Sequence, residues 1–208
     1  PLKEIELTQF PTATERRGLR GSTKMRDHLT CLVSTVYNEK RGMEGWIKQG
    51  WGDDPVANYR LFYERSQTIW GNGRWAAFKW CELLKKVHGF NLAAPDMGLE
   101  NATGPRQGLL MMLGMPEDAN EEVAPVAWLN RKAIKLWSDL TALGCQIDDL
   151  ETLETVLCNY HSHVKGKYNV GHDINEMYAD IKKGDFLLVK DQVALLEARA
   201  AVFHPRYL

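Results

Sequence analysis

The residues of this chain best suited to do chemistry stand in two places. The first is Glu154-Thr155-Val156-Leu157-Cys158-Asn159-Tyr160-His161-Ser162-His163, followed by Gly166, Tyr168, Gly171 and Asp173-Ile174. It opens with helical spacing and runs into a stretch of polar side chains that is costly to order unless something binds it. Glu154, Cys158 and His161 fall on one helical face. Those are metal-ligand types, but the set is incomplete and no metal is expected. Cys158 is open to two readings, a nucleophile or a small packing residue, and the second is the commoner for an isolated cysteine.

The second place is Thr68-Ile69-Trp70-Gly71-Asn72-Gly73-Arg74-Trp75-Ala76-Ala77. Here one helix is expected to run into a Gly-x-Gly turn from which another starts at once. Gly71 and Gly73 permit backbone angles closed to other residues and allow close approach of a ligand. The first N–H groups of the new helix have no internal partner and carry the positive end of its dipole, so they suit a phosphate. Such a contact positions a nucleic-acid strand without reading its sequence, and Arg74 adds charge to it. With Arg74-Trp75 and the small Ala77 behind it, this corner resembles the hairpin of the helix-hairpin-helix DNA glycosylases. Those enzymes carry a functional aspartate beyond the hairpin, often after a proline, and Pro95-Asp96 stands in a comparable position here. Asp96 has three possible jobs: taking a proton from an attacking amine, stabilising a developing cation, or capping a helix. No cofactor is required by these residues; a monovalent cation at the hairpin is the one candidate. Trp75, Lys79 and Glu82 share a helical face, where Lys79 is either an anion-binding cation or half of an ion pair with Glu82.

The longer motif carries a more specific likeness. Glu154, Cys158, Tyr160, Ser162, His163, Gly166, Tyr168, Gly171, Asp173 and Ile174, with Gly73, Trp75 and Lys79 upstream, resemble the pattern of the α-glutamyl/putrescinyl thymine pyrophosphorylases, also described as amino acid:DNA transferases. A similar helical domain accompanies 5-hydroxymethyluracil DNA kinases. The family pattern often has Gly-Pro-Trp where this chain has Gly73-Arg74-Trp75, and commonly a lysine where His161 stands. The resemblance implies a bacteriophage DNA-hypermodification enzyme acting in the host cytoplasm on double-stranded DNA that carries a pyrophosphorylated pyrimidine. A free amino acid or a polyamine such as putrescine would displace the pyrophosphate. Under that reading Asp96, Asp173 or the neutral imidazole of His163 takes the amine's proton. His161, Ser162, His163, Lys165, Lys167 and Tyr168 lie together to meet the departing pyrophosphate, with Lys79 and Cys158 as further substrate contacts. Two other readings fit the hairpin: a base glycosylase or lyase, and a non-catalytic helical DNA-binding module. The Cys158–Asp173 segment has no role in the glycosylase reading.

The elements that must hold these residues are helices throughout. Met25, Leu29, Leu32, Val33 and Val36 mark one apolar face, and Tyr59 to Trp70 forms a mixed aromatic helix. Ala76, Trp80, Leu83, Leu84 and Val87 define a third helix, ended by Gly89. Leu129 to Leu143 forms a long one ending at Gly144. Asp148 with Glu151 predicts a capping box for a helix bearing Leu150, Leu153, Leu157 and Tyr160. Ile174 to Ile181, closed by Gly184, and Val193 to Phe203 complete the series. The expected fold is all-α, one compact helical domain of the helix-hairpin-helix glycosylase type over residues 1–208, divisible into two lobes around a central cleft.

Composition sets the outer bounds. The 208 residues are 44% apolar, enough for a sizeable core, and the net charge of −1 gives no global sign of polyanion binding. Nucleic-acid contact must then rest on local patches such as Arg16, Arg17, Arg20, Lys24 and Arg26. Glu117, Asp118, Glu121 and Glu122 read as an exposed acidic loop. Cys31, Cys81, Cys145 and Cys158 are widely spaced, without the paired pattern of a thiolate metal site, and suit reduced thiols in a cytoplasmic protein. No apolar run is long enough for a membrane span.

Overall fold

The computed structural model describes residues 22–37, 42–167, 172–184 and 189–203. Among the described residues there are helices and connections and no strand, so the all-α expectation holds. The helices are α1 (Ser22–Tyr37), α2 (Gly42–Ile47), α3 (Pro55–Ser66), α4 (Arg74–His88), α5 (Thr103–Met112), α6 (Val126–Ala142), α7 (Leu150–Val164), α8 (His172–Lys183) and α9 (Val189–Val202). They fall into two units, Pro1–Met97 and Gly98–Leu208.

In the first unit, α3 starts where the sequence supplies a cap and a pre-set dihedral. Asp54 accepts from the Val56 N–H at 2.9 Å, and Pro55 occupies the first turn, where its missing N–H costs nothing. The helix stops at Ser66, a turn earlier than its aromatic pattern predicts. Ser66 is fully buried and its hydroxyl turns back to the Tyr63 carbonyl, while Thr68 does the same to Arg65. Such local hydroxyl bonds compete with helix continuation. Residues 67–73 then connect to α4, which ends in a Schellman-type cap at Gly89 (φ 66°), with the Phe90 N–H returning to the Leu84 carbonyl.

The buried line of α4 is Ala76, Ala77, Phe78, Cys81 and Leu84. Leu83 and Val87, expected on that face, are 57% and 68% exposed. The aromatic weight explains the rotation: Trp46, Phe62 and Trp80 meet edge-on or tilted with centroids 5.2–5.8 Å apart, and Phe78 packs into the same cluster. Aromatic rings contribute more buried area than Leu83 and Val87 could, so the helix turns toward them. The short α2 lacks a sequence signal of its own. Arg65 of α3 donates to the carbonyls of Trp46, Ile47 and Gln49 and so closes its C-terminal end from outside.

In the second unit, α5 packs on α7 with almost no side chain between them. A Cβ at Gly108 would overlap the Leu157 carbonyl oxygen, and one at Gly104 would come within 2.8 Å of Cys158 Sγ. α5 is a helix that the periodicity does not predict, because Gly104, Pro105 and Gly108 read as breakers. Pro105 sits in the first turn, where it is tolerated, and the glycines face a neighbouring helix rather than a turn. The cap of α7 is Asp149 rather than Asp148. Asp149 Oδ1 accepts from both the backbone N–H and the hydroxyl of Thr152 at 2.7 Å, and Glu151, expected to complete a capping box, is buried. α6 lies against both α5 and α7. α8 and α9 pack on each other, with the buried Arg199 guanidinium over the Tyr178 ring at 4.8 Å.

Candidate functional site

The hairpin corner in the first unit is a clamped turn. Ile69 is fully buried, and Asn72, also buried, donates from Nδ2 to the Ser66 carbonyl at 2.9 Å. From α1, His28 Nδ1 stands 2.6 Å from the Trp70 carbonyl, and the Trp70 N–H donates to Cys31 Sγ at 3.3 Å. Sequence reading missed His28 and Cys31 here, since nothing local ties them to a residue some forty positions on. Gly71 takes φ 87°, which L side chains resist. Gly73 is the N-cap of α4 with φ −89° and ψ −177°, ordinary extended backbone, and a Cβ there would meet nothing within 4 Å. As N-cap, Gly73 offers no side chain to the first N–H groups of α4. Gly71 and Gly73 are exposed, as is Trp70, while Arg74 and Trp75 are half-buried.

Behind the corner, Trp75 stacks on Phe78 at 5.9 Å, with Lys79 Nζ 4.9 Å from the Trp75 centroid. Lys79 donates to Glu82 at 2.8 Å, and Lys86 reaches the same carboxylate at 2.7 Å. Burial pushes the Glu82 carboxyl up, but the hydrogen bonds and charges of the two lysines outweigh it and leave it below its ordinary value. Of the two readings for Lys79, the ion pair is the one formed. Asp96 is half-buried on an irregular stretch and caps no helix; the N-cap position of α5 is Ala102. Lys24 and Arg26 lie on α1, where Arg26 pairs with Asp27 at 3.1 Å; Arg16, Arg17 and Arg20 lie outside the described residues.

In the second unit, α7 carries the long motif and sorts its residues by facing. Glu154 is fully buried, and Cys158 lies against Gly104, the packing position rather than an exposed thiol. His161 is 6% exposed, and its Nε2 stands 3.4 Å from Glu117 Oε2. Lys165 donates to the other oxygen of the same carboxylate at 2.6 Å. The Lys165 hydrogen bond is the chief cause holding the Glu117 carboxyl below the usual range; partial burial opposes it and His161 adds to it. Ser162 is half-buried, His163 and Lys167 are exposed, and Asp173 stands in the first turn of α8. Tyr168 and Gly171 lie outside the described residues. Among the described residues no three His, Cys, Asp or Glu side chains gather as a metal site.

The acidic run is an exposed loop at Asp118, Glu121 and Glu122, as expected, and of its four acids Glu117 alone is half-buried. It is one-third exposed and draws His161 of α7 and Lys165, the residue that follows that helix, onto one carboxylate. The sequence held no signal for this, because Glu117 and Lys165 are 48 positions apart. Glu117 also borders a cleft of about 430 Å³, lined by Glu100, Asn101, Thr103, Arg106, Gln107 and Asp118 among others. Arg106 spends Nη2 on the carbonyls of Ala119 and Ala124 at 3.1 and 3.0 Å, and its Nη1 stands 3.9 Å from Glu121.

No helix among the described residues is long and apolar enough to cross a membrane. A family model described as amino acid:DNA transferase matches residues 4–168, a span that holds both the hairpin corner and the whole of α7. No solved structure matches the chain.

Proposed function

Because the chain belongs to the amino acid:DNA transferase family, and is therefore a transferase acting on DNA, we propose that its substrate is double-stranded DNA carrying 5-hydroxymethyluracil with pyrophosphate on the methylene oxygen. The amine nitrogen attacks the methylene carbon. A C–N bond forms as the C–O bond breaks, pyrophosphate leaves with the electron pair, and the amine's proton passes to a base. The setting is bacteriophage DNA modified in the host cytoplasm. The observation that carries this reading is the family match, which spans the hairpin corner and the long motif as far as Tyr168, with Gly171, Asp173 and Ile174 beyond it.

In this scheme residues 55–88 work as a helix-hairpin-helix of the glycosylase type. The exposed Gly71 and Gly73, the start of α4, which Gly73 leaves without a side-chain cap of its own, and the adjacent Arg74 and Trp75 receive a strand phosphate. Supporting it are the left-handed Gly71 and the small buried Ala76 and Ala77, which let α4 approach its neighbours. The exposed His163 and Lys167, with Ser162 and Tyr168, meet the departing pyrophosphate. The proton goes to Asp96, Asp173 or His163, and Lys79 acts by holding Trp75 in place. Much of the rate comes from positioning, since the uracil ring itself helps expel the leaving group.

The test is direct. Pyrophosphorylated 5-hydroxymethyluracil DNA is incubated with the protein and single amines, and the nucleosides are resolved by mass spectrometry. An aminated nucleoside with release of pyrophosphate is expected. Abasic sites instead would replace this reading with a glycosylase, and DNA binding with neither product would leave only a binding module. Asp96→Ala and His163→Ala should each remove transfer while the helical circular dichroism persists.

A further inference from the structure

The cleft beside α5 is unlike a place for DNA or pyrophosphate. Among the described residues its ionisable lining is Glu100, Glu117 and Asp118 against the single cation Arg106. Lys165 offsets one of those carboxylates by its bond to Glu117, and the balance is still acidic. A polyanion is repelled by such a lining, whereas an ammonium group is drawn to it. The volume of about 430 Å³ falls in the range of small-molecule sites and exceeds what one or two waters need.

The charges are also ordered. Glu117 is fixed at one point by Lys165 and His161, which hold it ionised and stop it swinging away. Arg106 is fixed by the carbonyls of Ala119 and Ala124, which take Nη2 and leave Nη1 with only the 3.9 Å approach to Glu121. A fixed carboxylate and a fixed guanidinium on one small cleft complement a molecule bearing both an ammonium and a carboxylate. Asn101, Thr103 and Gln107 supply neutral donors and acceptors between them.

We infer that this cleft is the subsite for the amino donor, an α-amino acid bound as its zwitterion. Glu117 accepts from the α-ammonium at Oε1, beside Lys165, because its Oε2 is buried against His161, and Arg106 pairs with the α-carboxylate. The inference rests on the transferase reading above. The cleft agrees with the amino-acid donor that the family name states and disfavours a diamine such as putrescine, whose second ammonium would meet Arg106. Glu117, kept ionised by its neighbours, binds the donor and is not the base that deprotonates it.

Two variants test the assignment by kinetics and by direct binding. Glu117→Gln removes the acceptor charge, and Thr103→Arg places a cation at the exposed first position of α5. In transfer assays with glycine, glutamate and putrescine, each variant should raise KM for the amino acid by about tenfold or more, the worth of a charge-assisted hydrogen bond. KM for DNA should stay within about twofold, since the lining does not suit a polyanion. Isothermal titration of glycine and glutamate into the DNA-free protein should show binding to the wild type that both variants weaken. Unchanged amino-acid KM in both variants, beside an active wild type, overturns the subsite and leaves the transferase reading standing. So does a wild type that uses putrescine but neither amino acid. If the wild type transfers no amine at all, the transferase reading fails by itself, and the titration still decides whether the cleft holds a zwitterion. Should Glu117→Gln fold poorly by circular dichroism, Thr103→Arg carries the test, because Thr103 is exposed at the start of α5.

Discussion

Gly71 and Gly73 flank a single asparagine yet answer to different physics. Gly71 sits at φ 87°, so Gly71→Ala should destabilise the protein by about 1 kcal/mol through backbone strain alone. Gly73 has extended backbone and open space where a Cβ would go, so Gly73→Ala should leave the thermal midpoint nearly unchanged. Any loss of DNA affinity in Gly73→Ala then reports on the approach of the strand itself. An unchanged affinity would remove the hairpin from the DNA interface. Glu82 offers a second residue-scale test. Its folded-state pKa is depressed, so its bonds to Lys79 and Lys86 contribute stability that is complete above the ordinary glutamate value and is lost as pH falls through the lowered one. Thermal midpoints of the wild type should fall through that acid window, and Glu82→Gln should fall less steeply. Equal slopes would mean that the two lysine bonds add nothing.

At the scale of elements, the seam between α5 and α7 is the least forgiving contact described. Gly108→Ala drives a methyl into the Leu157 carbonyl, which belongs to backbone and cannot rotate aside, so a loss of about 1–3 kcal/mol is expected by chemical denaturation. Gly104→Ala meets the Cys158 side chain instead and should cost less. This seam also shows where sequence reading stops. α4, α6 and α7 were legible because apolar residues recur along one side, and Gly89 and Gly144 stood where helices end. α5 was not, because glycines that permit helix–helix approach look the same in sequence as glycines that break helices. The turn after α3 was misplaced by four residues, since the hydroxyl bonds of Ser66 and Thr68 that end the helix depend on local geometry. Within the candidate site, His161 and Lys165 were singled out to meet a departing pyrophosphate, and nothing in the sequence tied them to Glu117. Glu117 and Arg106 were not legible, because their importance comes from what the fold brings against them.

For the molecule as a whole, 26 cations against 27 acids leave no net field to draw in DNA. Binding must come from a small number of local phosphate contacts, so affinity should fall only gently as salt rises. Arg74→Gln should lower the slope of log affinity against log salt by about 1 if that side chain displaces one counterion. A steep wild-type slope, unchanged by the substitution, would shift the interface elsewhere. Family membership states that an amino acid and DNA are joined. A near-neutral chain suits that task, since a strongly basic surface would hold the product DNA as tightly as the substrate.

Because α5 meets α7 through glycines, the helix that bears Arg106 has no slack against the helix that bears His161. Arg106 in the cleft and His161, which holds Glu117 at its edge, are thereby kept at a set separation in the manner of a gauge block. Redirecting the enzyme toward a bulkier donor should therefore succeed by trimming the rim, at Asn101, Thr103 or Gln107. Altering the glycines should destabilise the protein rather than yield new specificity.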